Sequence, residues 1–311
     1  MREMNVRVPI KKMLTFGLLP SFLKKTIYRL QGNTIGRHVK FSLGSVILSR
    51  ERFIIGDDTT IGFFTSVVGK TIKIGKRCNI RSAVLINANS ICLGNDVIIS
   101  ETAIIRAGHL SQKSELIIDD LVHIFPHTTI DPSCRIHLGE ECAVGPGCSI
   151  FTHGSYKNIL DGYNVAYGDV TVGCRVELTY NVFVAPGVCI GDDTIIAYGS
   201  FVNKDLPAKV LAAGMPAVVK RTKSQFAPEP SEKEKEAIID EIIKDFINYL
   251  DYLGFEKPQP SIQRIGIQEI VFGDHDRFNL LERTCDQPSS KLSKEFRRFL
   301  SRYGIRFKNL N

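Results

Sequence analysis

The stretch that decides the fold covers residues 172–202 and reads VGCRVELTYNVFVAPGVCIGDDTIIAYGSFV. A large aliphatic side chain returns at every sixth position, at Val172, Leu178, Val184, Ile190, Ile196 and Val202. Four places after most of these stands a small or β-branched residue, such as Val182, Val188, Thr194 and Ser200. An α-helix repeats its apolar residues every 3.6 positions and an antiparallel strand every two, so neither fits. A strict period of six predicts a solenoid whose faces are short parallel strands.

The same repeat continues upstream. Further series of six include Ile118, Ile124 and Ile130, and then Leu138, Val144 and Ile150. Pairs of an aliphatic residue and Gly or Asp begin at residues 55, 74, 93, 118, 138, 172 and 190. Most of these intervals are 18–20 residues, and the two longer ones predict outward loops at 107–115 and 154–169.

Cysteine usage agrees with a reducing compartment. The 311-residue chain has eight cysteines but no CxxC pair, which argues against a disulfide framework or a zinc ribbon. Cys78, Cys134, Cys142 and Cys148 occupy the small inward position of the repeat, where a thiol behaves as a small apolar group. A cytoplasmic protein without a bound metal is therefore expected.

The positive charge is concentrated at the start. Residues 1–40 carry nine Lys or Arg and one acid, whereas the net charge of the whole chain is +7. A nucleic-acid partner is therefore not expected. In segment 1–32, Leu19, Phe22, Leu23, Ile27 and Leu30 lie at helical spacing, with Lys24, Lys25 and Arg29 on other faces. Two interpretations stay open: a helix that caps the first coil, or contact of residues 1–30 with an anionic membrane at its inner face.

The period stops after Arg221, so residues 222–311 form a separate α/β accessory module. Ser231 and Glu234 make a capping box that opens one helix, and Gly254 ends it. Short apolar runs follow, and a second helix is predicted over 291–303. Asp274, His275 and Asp276 are adjacent and are expected to form a solvated turn rather than a metal site.

Two closing motifs carry a family resemblance. The repeat of residues 33–221 ends in Asn203-Lys204-Asp205-Leu206-Pro207 and Ala213-Gly214-Met215-Pro216-Ala217. This pattern resembles the hexapeptide-repeat acyltransferases, and most of all the maltose/galactoside and polysaccharide O-acetyltransferases. The resemblance implies a mainly β, left-handed parallel β-helix, a homotrimer with active sites between subunits, and acetyl-CoA bound along the coil edge as acyl donor.

The resemblance also implies a catalytic base. The family's catalytic histidine lies where a loop leaves the coil, and His153 is the match, directly before loop 154–169. Neutral imidazole, with an unperturbed pKa of about 6.5, suits removal of a hydroxyl proton near neutral pH. His109 and His127 are alternative bases or acceptor contacts. His123 and His127 are also compatible with a zinc-dependent carbonic anhydrase, although no third imidazole is aligned with them.

Other positions are assigned to binding. The acceptor, a carbohydrate hydroxyl of a surface polysaccharide or its precursor, is expected to contact Tyr156, Asn158, Asp161 and Tyr163 in loop 154–169. Coenzyme A is expected along the last coils, at Ala185, Ala197, Tyr198, Gly199, Ser200, Lys204, Lys220 and Arg221. Two other functions stay open: N-acetylation of a nucleotide-linked amino sugar, and a non-catalytic solenoid that recruits a partner through its C-terminal module.

Overall fold

The computed structural model describes residues 9–108, 111–154, 157–255, 261–273, 276–286, 288 and 290–309. These residues form two compact units that divide between Ala227 and Pro228. The first unit contains the solenoid, and the second has its own apolar core. Within the described residues, no helix is both long and apolar enough to cross a bilayer.

The described residues begin with short helical segments. They are α1 (Ile10–Leu14), a 3-10 turn at Phe16–Leu18, and α2 (Ser21–Leu30). Eight coils of three strands follow. The first six are β1 Thr34–Ile35, β2 Lys40–Phe41, β3 Val46–Ser49; β4 Ile54–Ile55, β5 Thr60–Ile61, β6 Ser66–Gly69; β7 Thr71–Ile74, β8 Asn79–Ile80, β9 Leu85–Asn87; β10 Ser90–Leu93, β11 Ile98–Ile99, β12 Ile104–Arg106; β13 Glu115–Ile118, β14 His123–Ile124, β15 Thr129–Asp131; and β16 Arg135–Leu138, β17 Ala143–Val144, β18 Ser149–Phe151. A hairpin of β19 His153–Gly154 and β20 Ala166–Tyr167 comes next, and the last two coils are β21 Val170–Val172, β22 Glu177–Leu178, β23 Phe183–Val184; and β24 Cys189–Ile190, β25 Ile195–Ile196, β26 Phe201–Val202.

Each face of the solenoid is one parallel sheet. The first strand of each coil lies in face A (β1 to β24), the second in face B (β2 to β25) and the third in face C (β3 to β26). Face B is closed by β27 (Val210–Ala213) and β28 (Val218–Thr222), and the latter pairs antiparallel. The predicted left-handed parallel β-helix is confirmed.

The period of six sets the core. Val172, Leu178, Val184, Ile190, Ile196 and Val202 are all buried, with side chains directed into the solenoid. Cys78, Cys134, Cys142 and Cys148 are buried as well. Burial raises the pKa of the Cys78 thiol to about 11 and that of Cys142 to about 12, which keeps both protonated and unreactive at neutral pH.

The N-terminal helix meets the first coil through polar residues. α2 directs Lys24 and Tyr28 inward and leaves Phe22 and Leu30 exposed. Tyr28 closes the end of the core, with its ring packed against Phe16, Phe41 and Phe53 at centroid distances of 5.0–5.5 Å.

The second unit follows the short helix α3 (Lys223–Phe226). It contains α4 (Glu232–Tyr252), a five-stranded sheet and α5 (Lys291–Leu300), and the strands are β29 Ile262–Ile265, β30 Glu269–Phe272, β31 Asp276–Asn279, β32 Thr284–Cys285 and β33 Lys308–Asn309. The predicted capping box is present, since Ser231 and Glu234 bond reciprocally at the start of α4. Asp274 and His275 lie outside the described residues.

Candidate active site

Both insertions leave the solenoid at one corner, between faces C and A. The first follows β12 and the second follows β18, two coils later. The second begins as an antiparallel hairpin in which His153 is paired with Tyr167 and Gly154 with Ala166. His153 therefore stands at the root of the insertion, as predicted.

A carboxylate from the preceding coil meets this histidine. Asp131 ends β15, and its register partner in β18 is Phe151, two residues before His153. His153 Nδ1 lies 3.0 Å from Asp131 Oδ2, and the side chains are only 12% and 8% exposed. The sheet register thus brings together two groups that are 22 positions apart in the sequence.

The other carboxylate oxygen of Asp131 is fixed by three hydrogen bonds. Its Oδ1 accepts hydrogen bonds from Gly108 N at 3.2 Å, from Ser133 N at 2.9 Å and from Ser133 Oγ at 2.6 Å. The carboxylate is therefore fixed, and its Oδ2 faces the imidazole. A carboxylate this close to Nδ1 favours the tautomer that carries its proton on that nitrogen and leaves the lone pair on Nε2.

Further neighbours of the imidazole are the Gly108 backbone and the Tyr167 ring. A Cβ added at Gly108 would lie 2.9 Å from His153 Cε1, 3.3 Å from its Nε2 and 3.1 Å from Asp131 Oδ2. Only glycine allows the first insertion to approach so closely. On the other side Tyr167 lies nearly parallel to the His153 ring, with centroids 5.9 Å apart.

His127 and His123 lie away from this corner. His127 is at the corner between faces B and C, where its Nδ1 lies 2.9 Å from Thr102 Oγ1. His123 stacks on Phe125 and lies 3.0 Å from Ser100 Oγ through Nε2. No group of three His, Cys, Asp or Glu side chains in the described part of the chain could hold a metal. His109 lies outside the described residues.

Three of the predicted acceptor residues, Asn158, Asp161 and Tyr163, are exposed in the second insertion. Asn158 uses its side chain to cap a 3-10 turn at Ile159–Asp161 by accepting from Leu160 N at 3.0 Å. Asp161 is exposed, and Tyr163 is half exposed with Lys157 Nζ 5.4 Å from its ring centroid. Tyr156 lies outside the described residues.

The predicted coenzyme A positions lie at two corners of the solenoid and on strand β28. Ala185 and Lys204 follow face C, on the same corner as His153 and in the two coils beyond it. Tyr198 and Gly199 lie at the corner between faces B and C, and Tyr198 is 71% exposed. Lys220 and Arg221 are exposed on β28. Ser200 and Ala197 already make hydrogen bonds within the coil. Ser200 Oγ donates to Ala197 O and accepts from Gly214 N.

Sequence reasoning missed three contributors, namely Asp131, Gly108 and Tyr167. The sequence contains only a weak indication of the role of Asp131. Its carboxylate comes directly after the inward-facing Ile130, in a coil that has no insertion of its own. Its partner could be identified only through the register of β15 with β18.

Known proteins share the repeat region. The galactoside O-acetyltransferase of Escherichia coli K12 is 32% identical over 95 residues, which are 30% of this chain and 47% of that protein. The putative colanic acid biosynthesis acetyltransferase WcaF of the same strain is 40% identical over 119 residues, 32% of this chain and 65% of that protein. A solved structure, UDP-N-acetylglucosamine acyltransferase from Campylobacter jejuni, is 15% identical with a TM-score of 0.48, and covers 74% of this chain and 88% of that chain.

The two curated matches confirm the resemblance to the hexapeptide-repeat acetyltransferases that the sequence motifs indicated. They are partial, because the chain spans between about half and two thirds of the length of these curated relatives. No protein-family model matches the chain.

Proposed function

We propose that the solenoid transfers an acetyl group from acetyl-CoA to a hydroxyl of a carbohydrate, either a surface polysaccharide or its precursor. The observation that carries this proposal is the His153–Asp131 pair at the corner where both insertions leave the coil. The curated relatives support the chemical class, since one is named as a galactoside O-acetyltransferase and another as a putative acetyltransferase of colanic acid biosynthesis.

The His153–Asp131 contact is suited to general base catalysis. Asp131 orients the imidazole and stabilises its protonated form, so that Nε2 of His153 can accept the proton of the acceptor hydroxyl. The hydroxyl oxygen then forms the ester bond as the carbon–sulfur bond of the thioester breaks. His153 returns the proton to the departing sulfur, which leaves the acetylated sugar, free coenzyme A and a neutral imidazole.

The test is His153→Ala, which removes the proton acceptor but little apolar bulk. We expect kcat/KM to fall by about two to four orders of magnitude. Acetyl-CoA should still raise the melting temperature, because this variant leaves the donor positions intact. His137→Ala is the matched control, since its imidazole pairs with Asp119 on face A at 2.8 Å and should leave activity unchanged.

The opposite pattern would overturn the assignment. If His153→Ala keeps more than about a tenth of the activity while His127→Ala or His109→Ala abolishes it, the base lies on another loop. The insertion 154–169 would then be an acceptor-binding lid.

Donor binding is part of the proposal. Lys204 on the active-site corner and Lys220 and Arg221 on β28 are exposed cations that can meet the phosphates of coenzyme A. Lys204→Gln should raise the KM for acetyl-CoA with little change in kcat. The same change at Lys244, on α4 of the second unit, serves as the control.

The acceptor and the assembly are also proposed. The saccharide would contact Tyr156, Asn158, Asp161 and Tyr163. The chain would form a homotrimer in which a neighbouring subunit completes each site, and the protein would act in the cytoplasm. Parallel assays with hydroxyl and amino acceptors separate O-acetylation from N-acetylation of a nucleotide-linked amino sugar. A chain that acetyl-CoA does not stabilise at all would instead favour a non-catalytic solenoid.

A further inference from the structure

The N-terminal segment exposes a regular series of large apolar side chains. Ile10 is 61% exposed, Leu14 57%, Leu18 49%, Phe22 63% and Leu30 83%. They recur every four positions, and the one missing member of the series is Thr26. Isolated exposed apolar residues are common on protein surfaces, but a run of this kind marks an interaction site.

This exposure follows from how α2 is anchored. The residue that α2 inserts into the base of the solenoid is Lys24, which is fully buried. Its Nζ donates to Ser42 O at 2.7 Å, to Ser45 O at 3.2 Å and to Ser45 Oγ at 3.3 Å, so three acceptors serve its three protons. Tyr28, one turn later, bonds the backbone of Ile47 through its hydroxyl. With these polar groups inside, the apolar side of α2 faces outward.

The apolar surface continues onto the first coils. Gly44 N donates to Gly17 O at 2.7 Å, which joins the turn that carries Leu18 to the corner that carries Leu43. Phe64 N in turn donates to Leu43 O, and Leu43 and Phe64 are each about half exposed. We call Ile10, Leu14, Leu18, Phe22, Leu30, Leu43 and Phe64 the basal apolar surface.

The charge around this surface is mainly positive. Between Met4 and Arg50 the sequence contains no acidic residue. Lys11 and Lys12 are exposed on α1, and Lys25 is partly exposed on α2. A cavity of about 520 Å³ beside α1 is lined by Lys12, Arg50 and Arg52, whereas its acid Glu51 contacts Lys70 at 3.5 Å.

We propose that the basal apolar surface docks on an anionic phospholipid bilayer, with its apolar side chains in the interfacial region and the lysines against lipid phosphates. Apolar side chains flanked by cations are the pattern by which helices bind in the plane of a membrane interface. A second copy of this chain is a poorer occupant, because it would bring two cationic surfaces together. The inference is independent of the proposed catalysis.

The experiment is co-sedimentation of the full chain with two kinds of vesicle, phosphatidylcholine alone and an equal mixture with phosphatidylglycerol. We expect binding to the mixture at low salt and strong weakening at 0.5 M salt, where the Debye length falls to about 4 Å. Leu14→Ser/Phe22→Ser should weaken binding at least tenfold. Lys11→Gln/Lys12→Gln/Lys25→Gln should weaken it by about fivefold per lysine.

Matched controls come from the second unit. Leu281→Ser removes an equally exposed leucine, and Lys244→Gln/Lys294→Gln removes two exposed lysines. Both should bind as the unaltered chain does. Thermal unfolding of every variant checks that the fold is retained.

Three outcomes would overturn the proposal. The first is the absence of binding to anionic vesicles at low salt. The second is equal weakening by the control variants. The third is a concentration-dependent self-association that Leu14→Ser/Phe22→Ser abolishes while vesicle binding is unchanged, which would assign the surface to contacts between copies of this chain.

Discussion

Two Asp–His pairs with similar contacts lie on different parts of the solenoid. Asp131 and His153 meet at 3.0 Å on the corner with the insertions, whereas Asp119 and His137 meet at 2.8 Å on the outer side of face A. The members of the second pair are 42% and 31% exposed, so water competes for them. An orienting role is therefore expected only of Asp131.

Asp131→Asn tests that role. Asparagine can still accept from Gly108 N and Ser133 N through its oxygen, but its amide group would donate to Nδ1 and place the imidazole proton on Nε2. Because this is the wrong tautomer for a base, kcat/KM should fall by about two to four orders of magnitude with the fold intact. Asp119→Asn should leave it unchanged, and equal kinetics for the two variants would remove Asp131 from the mechanism.

Two glycines beside the imidazole offer a steric test. A Cβ at Gly108 would meet His153 and Asp131 at 2.9–3.3 Å, whereas a Cβ at Gly154 has no heavy atom within 4 Å. Gly108→Ala should displace the ring and reduce kcat/KM at least tenfold, since misplacement of a catalytic group by about 1 Å can cost 10²-fold. Gly154→Ala should stay within about twofold. Equal effects in steady-state assays would show that close approach of the first insertion does not matter.

At the scale of elements, the repeat was sufficient to predict the solenoid. A period of six directs Leu178 and Ile196 inward wherever it occurs, so strands and core followed from spacing alone. The repeat of six is interrupted directly after His153, and this also placed His153 at the root of its insertion. These are local properties of the chain.

What the sequence could not show depends on contacts between distant residues. Asp131 meets His153 through strand register, which an insertion-containing repeat does not define. The orientation of α2 depends on Lys24, whose burial is favourable only because the carbonyls of Ser42 and Ser45 are in reach. Helical spacing alone left open which face of α2 meets the coil.

The last coils are joined by a partly exposed ionic contact. Asp193 accepts two bonds from Arg175, both at 2.9 Å, and one from Lys223 Nζ at 3.2 Å. The hydrogen bonds from Arg175 are the main cause that lowers the pKa of Asp193 to about 2. Because the pKa is lower in the folded than in the unfolded chain, this stabilisation is complete above about pH 4 and is lost as the pH falls towards 2.

Asp193→Asn should therefore reduce the free energy of unfolding at pH 7 by about 1–2 kcal/mol, an amount limited by solvent screening. The difference from the unaltered chain should shrink steadily between pH 4 and pH 2. Urea unfolding at several pH values measures it, with the exposed Asp161→Asn as control. A difference that is constant with pH would show that packing, not charge, is what the carboxylate contributes.

At the scale of the whole molecule, the resemblance implies three copies. We expect sedimentation equilibrium to give three times the chain mass of 34.7 kDa at micromolar concentration. His153→Ala should give the same mass, because its side chain belongs to the site corner and not to the core. A stable monomer with full activity would exclude active sites that need a neighbouring subunit.

The two compact units allow a last test of where the activity is located. The second unit has its own core around Phe246, Phe296 and Phe299, and the solenoid is complete before Ala227. A chain of residues 1–227 should therefore fold, bind acetyl-CoA and acetylate a soluble saccharide within about threefold of the full chain. In the full chain, Phe246→Ala should lower the unfolding temperature of the second unit, since loss of a buried phenylalanine costs about 3–5 kcal/mol. If residues 1–227 fold and bind acetyl-CoA but transfer nothing, the second unit supplies part of the acceptor site.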